Sequence, residues 1–151
     1  DFNDIFIKRG IYTEKEIKAS YEVNLEEVVN YHSLEAKTMV SMIHKDLIPM
    51  GMAELKDLSQ ILKFKNNEKL RTKYDKIDKM ITDLLECGDE IELLLDHSNK
   101  IDEIYKKAEY VERNIATILL ATRKIADQKE KLISRKNMTL PSYEDIFNSL
   151  S

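Results

Sequence analysis

The stretch Leu70–Leu95 reads LRTKYDKIDKMITDLLECGDEIELLL, and Leu70, Tyr74, Ile77, Ile81, Leu84, Gly88, Ile91 and Leu95 follow one another in alternating steps of four and three. That spacing is the heptad seam of a long α-helix, sustained over more than three heptads with Gly88 as its only gap. Asn66 or Asn67 supplies an N-cap. The turn formers Asp96, His97, Ser98 and Asn99 predict the end, with Ser98 and Asn99 placed to cap the next helix. Beyond them a seam of the same kind runs through Ile101, Ile104, Ala108, Val111, Ile115, Ile118, Thr122, Ile125 and Leu132. A connection of about four residues between two such helices makes them antiparallel neighbours. The expectation is a helical hairpin over about residues 67–97 and 99–135.

Working back from the hairpin, Thr13-Glu14-Lys15-Glu16 is a capping box, with Tyr12 placed to staple against Ile17. A helix from about Glu14 to Asn30 comes next. A second, from about Ser33 to Phe64, carries an apolar stripe of Ala36, Met39, Val40, Ile43, Leu47, Leu55, Leu58 and Leu62. Pro49 lacks a backbone donor, and Gly51 stands two residues on, so a kink or helix break is expected near Asp46 to Gly51. The fold class is therefore all-α: an elongated antiparallel bundle of three or four helices with a kinked N-terminal half.

Composition agrees. The 151 residues include only three Gly and two Pro, while 34% are charged and 42% hydrophobic. Long helices with solvated faces and a real core have that profile. The net charge of -4 comes from interspersed acids and bases, and no clustered basic footprint for nucleic acid stands out. The nearest, Lys129–Lys136, suits a helix C-terminus. No apolar run approaches a membrane span, and the single Cys87 cannot form an internal disulfide. A cytoplasmic protein without nucleic-acid or membrane partners is expected. The opening DFNDIFIKRG, with neither Met nor signal-peptide pattern, suggests a domain excised from a longer chain.

Chemistry is scarce. Three glycines cannot build a phosphate-binding loop, and no Gly-x-Ser-x-Gly motif occurs. His32, His44 and His97 stand in separate regions, and none follows a Glu by three residues as a di-metal carboxylate site requires. Cys87 reads as a small packing residue, Met39, Met42, Met50 and Met52 as core or interface filler, and Gly88 either as a point of close helix approach or only as a weakening of the hairpin by about 1 kcal/mol. No catalytic, cofactor-binding or metal-ligating residue is assigned.

The ends carry the remaining information. Phe2–Pro49 contains Gly10-Ile11, Glu22-Val23, Leu25-Glu26, Val28 or Val29, Glu35-Ala36, Met39-Val40 and Ile48-Pro49. In order and spacing these resemble the region after the catalytic domain of type III glutamine synthetases. The tail Leu140-Pro141-Ser142-Tyr143-Glu144-Asp145-Ile146-Phe147 is similar to the Pro-x-Tyr motif that ends those enzymes. It lacks the Trp often found just before that motif, and Tyr31-His32-Ser33 also departs from the pattern. The resemblance implies a parent that makes glutamine from glutamate, ammonia and ATP, with ATP, divalent metal and catalytic residues all bound or borne upstream. It implies one helical domain over residues 1–151 that packs on the catalytic domain and on neighbouring subunits of a homo-oligomer. Its docking segments would be residues 1–12 and 137–151, through Phe2, Ile5, Phe6, Pro141, Tyr143, Ile146 and Phe147. The competing reading is an autonomous coiled-coil adaptor that offers its Leu70–Leu95 seam to a partner helix.

Overall fold

The computed structural model describes residues 4–5, 10 and 13–140, and among these it is helical without strands. From Glu14 one long spine runs through α1 (Glu14–Met42), a π-helical turn (Ile43–Leu47) and α2 (Ile48–Phe64). After three residues α3 (Glu68–Asn99) returns along it. The chain then reverses again through α4 (Ile104–Tyr110), a second π turn (Val111–Ile115), α5 (Ala116–Ala126) and the short α6 (Lys129–Leu132). Among the described residues the last element is a 3₁₀ turn, Arg135–Asn137. The result is the expected elongated antiparallel bundle, with three rods rather than four.

The expected caps form. Glu16 N–H donates to Thr13 Oγ1 at 3.1 Å, and Thr13 N–H to Glu16 Oε2 at 2.8 Å. Asn67, not Asn66, caps α3 by accepting from the Lys69 and Leu70 amides. Two boundaries differ from expectation. No break separates Asn30 from Ser33, because α1 runs unbroken to Met42. Likewise α3 continues through the Asp96–Asn99 cluster, where the buried Ser98 hydroxyl donates to Leu95 O at 2.9 Å instead of capping the next helix. The cap position of α4 is Glu103, which makes no side-chain capping bond, and Ile101 lies in the connection.

Pro49 changes the helix type beside it. One turn earlier the helix widens, where Ile48 N–H reaches back five residues to Ile43 O. A proline ring crowds the carbonyl four residues before it and leaves that carbonyl without its donor. The wide turn absorbs both effects while the helix continues through Met50 and Gly51.

The core joins all three rods. Ile43, Leu47 and Met50 from the spine meet Met80, Leu84 and Ile91 of α3 and Val111, Ile115 and Leu119 of the third rod, all almost fully buried. Each such side chain contributes about 1.5–3 kcal/mol when removed from water. The α3 seam is therefore consumed within the chain: Ile77, Ile81, Leu84, Gly88, Ile91 and Leu95 are buried, and Leu70 and Tyr74 are half-buried. The third rod buries Leu119, Ala126 and Ile133 where the heptad reading placed Ile118, Ile125 and Leu132. Of the two helical glycines, Gly51 is the more tightly covered. A Cβ on Gly51 would lie 2.8 Å from Ile81 Cγ1 and Cδ1, whereas one on Gly88 would meet nothing nearer than His44 Nε2 at 3.5 Å. Met39, Met50 and Met80 fill the core as expected of such side chains, Met52 is exposed, and Cys87 is buried with a free thiol.

Candidate docking surface

Of the residues expected to dock, Ile5 is described and half-exposed; Phe2, Phe6, Pro141, Tyr143, Ile146 and Phe147 lie outside the described residues. The structure does describe how the chain reaches the tail. Residues 133–140 lie back across the spine: Ile133 is buried, and Met138 and Leu140 pack on the core. The backbone N–H of Thr139 points at Met50 Sδ, 3.1 Å away.

A buried acid fastens this segment. Glu54 stands on the inner face of α2, one turn from both Met50 and Leu58, and is 5% exposed. Its Oε2 accepts from Ser134 N–H at 3.2 Å, the Ser134 hydroxyl at 2.8 Å and Asn137 Nδ2 at 2.7 Å. Its Oε1 faces Lys73 Nζ of α3 at 3.7 Å. Asn137 Nδ2 also donates to Asp57 Oδ2 at 2.8 Å, and Lys136 Nζ lies 3.5 Å from that same oxygen. Burial alone would push the Glu54 carboxyl up; the three donors and Lys73 outweigh it and hold the group below its ordinary value of 4.5. Asn137 likewise lowers Asp57, with help from Lys136. Glu54 is thus an ionised hub tying α2, α3 and the outgoing chain together. The sequence reading missed it, though an acid spaced four residues from both Met50 and Leu58 marks a charge on a buried stripe.

A second polar tie joins the rods at the other side: Arg123 of α5 pairs with Glu35 of α1, whose other oxygen lies 3.6 Å from His32 Nδ1. His97 stacks on Tyr110 with ring centroids 4.7 Å apart. Among the described residues no group of three or more His, Cys, Asp or Glu could hold a metal ion. Nor is any helix among them long and apolar enough to cross a membrane.

The comparisons bear on where such a bundle belongs. Residues 2–66 match the family model described as the glutamine synthetase C-terminal domain. A glutamine synthetase of Butyrivibrio fibrisolvens is 29% identical over 154 residues, covering 97% of this chain and 22% of that protein. The chain thus spans about a fifth of its relative's length. No solved structure matches. The matched segment takes in the capping box, the first π turn, Glu54 and all of α2, and the chain is similar in sequence to the C-terminal domain of the glutamine synthetases.

Proposed function

We propose that this chain is the non-catalytic C-terminal helical domain of a type III glutamine synthetase. It packs on the catalytic part of the same polypeptide and supports assembly of a cytoplasmic homo-oligomer. The parent would ligate ammonia to glutamate using ATP. Nucleotide and divalent metal would be held upstream, as the family resemblance implies, and no step of that reaction is assigned to this chain. The observation that carries the proposal is the Glu54 anchor. Three donors from residues 134 and 137 converge on one buried carboxylate, which fixes the chain a few residues ahead of Pro141. A segment delivered from a fixed point can dock at low entropic cost.

The adaptor reading required the Leu70–Leu95 seam to be available to a partner helix, and that seam is occupied by the chain's own spine and third rod.

The test uses the full-length protein. Tyr143→Ala and Phe147→Ala, singly and together, should reduce the assembled mass seen by light scattering and lower glutamine formation, while leaving the helical circular-dichroism signal intact. Unchanged mass and activity in the double variant would overturn the docking role.

A further inference from the structure

The two ends of the bundle have opposite character. At one end, α3 stops at Asn99, about one turn past the point where Leu95 and Asp96 stand beside Lys37 and Val40 of α1, so α1 projects beyond it as an arm partnered by α4, where Tyr21 meets Tyr105 with ring centroids 5.9 Å apart. Between residues 14 and 27 the arm carries five glutamates and two lysines. Tyr21, Val23, Tyr31 and Leu34 stand exposed on it. At the opposite end, the α2–α3 connection and the helix ends it joins carry Lys63, Lys65, Lys69 and Arg71 against one acid, Glu68. Among the described residues none of these four cations pairs with a carboxylate. From their midst Phe64 projects 93% exposed, with Ile61, one helical turn earlier, 47% exposed.

Lys63 and Lys65 at the C-terminus of α2 have an ordinary explanation in the helix dipole, but Lys69 and Arg71 stand in the first turn of α3, where the dipole disfavours cations. The dipole does not account for a phenylalanine held almost wholly in water at the same tip. We propose that this cationic, Phe64-tipped end docks on the acidic arm of a second copy of the chain. The lysines would face Glu22, Glu26 and Glu27, and the Phe64 ring would cover the apolar side chains that the arm leaves bare. The two surfaces match twice over, in charge of opposite sign and in apolar groups exposed on each. They cannot meet within one molecule, because Tyr21 and Phe64 lie about 65 Å apart along a continuous helical spine rising 1.5 Å per residue. The contact is heterologous, two different patches of two copies. It does not depend on the identity of the parent enzyme.

The experiment places photoreactive p-benzoylphenylalanine at position 64 of the full-length protein, a site whose exposure makes the substitution harmless to folding. Mixing isotopically light and heavy protein before irradiation separates contacts between copies from contacts within one. Mixed-isotope cross-links mapping to residues 14–34 are expected. Their yield should fall about tenfold with Lys65→Glu and Lys69→Glu, and recover when Glu26→Lys and Glu27→Lys are supplied in the other copy. Cross-links within one copy, cross-links to any other segment, or none at all would overturn the proposal. Loss of assembly in the tail variants with this cross-link intact would show the two contacts to be separate.

Discussion

Glu54 concentrates much of the chain's polar energetics in one side chain. Hydrogen bonds to an ionised partner contribute about 1.5–3 kcal/mol each in favourable cases, and losing the acceptor strands its donors. Glu54→Gln keeps the shape but not the charge. It is expected to lower unfolding free energy by about 1–3 kcal/mol at pH 7, read from urea titrations of the 151-residue chain. The direction of the shift sets the pH dependence. The folded carboxyl titrates below its ordinary 4.5, so in that window the unfolded chain binds more protons and stability rises with pH. The gap between wild type and Glu54→Gln should be full at neutral pH, begin to shrink near 4.5, and close as pH falls through the folded value. An equal gap at every pH would contradict the assignment. The glycines give a second, signed pair. Gly88→Ala places its methyl in ordinary contact and gains helix propensity, so a rise of up to about 1 kcal/mol is expected. Gly51→Ala drives its methyl into Ile81; overpacking of about 1–3 kcal/mol outweighs the same propensity gain, and Ile81→Val should recover part of the loss. At this scale the sequence was half legible. An acid at the Met50–Glu54–Leu58 spacing can be read, but its partners stand 80 residues further on, and which glycine meets a neighbouring helix depends on the mutual register of two rods.

The two π turns decide what could be read at the level of elements. In α3, where the helix is regular, every position of the heptad seam from Ile77 to Leu95 is buried as its spacing predicts. In the third rod the turn Val111–Ile115 inserts one residue, and from there the buried positions advance by one, to Leu119 and Ala126. Thr122 stays buried because its hydroxyl is satisfied by Ile118 O at 2.7 Å. Periodicity assumes an unbroken helix and carries no mark of an inserted residue. The same applies at Asp96–Asn99, where turn-forming residues are absorbed because tertiary packing of Leu95 and Ser98 outweighs their local preference. If the extra residue is absorbed by the wide turn, deleting exposed Glu112 should convert it to regular helix and leave Leu119 and Ala126 in register. Thermal melts should then show a loss within about 1–2 kcal/mol, the range of ordinary single changes. Deleting exposed Glu86 from regular α3 should rotate the seam after it and abolish cooperative unfolding. Equal damage from the two deletions would refute the insertion reading.

Across the whole molecule, stability cannot be uniform, because the number of rods is not. Between Ala36 and Ile133 three rods share one core, and the almost fully buried residues Ile43, Leu47, Leu84, Ile91, Val111 and Ile115 all belong to that stretch. Among the described residues the bundle beyond Asn99 narrows to α1 and α4, and from Glu14 to Val28 no side chain of α1 is fully buried. The capping box at Thr13 holds the end of that arm, but a helix of this kind draws most of its stability from packing. Amide hydrogens from residue 18 to residue 28 should therefore exchange through local opening, at free energies well below that of global unfolding. Those at Ile43–Leu47, Leu84–Ile91 and Val111–Leu119 should exchange only with global unfolding. Hydrogen-exchange mass spectrometry of the 151-residue chain across a urea series tests this directly. Protection in the arm should be independent of urea, and in the three-rod section it should fall with the global slope. A single slope throughout would mean that the arm is held as firmly as the core, by contacts that α4 alone does not provide.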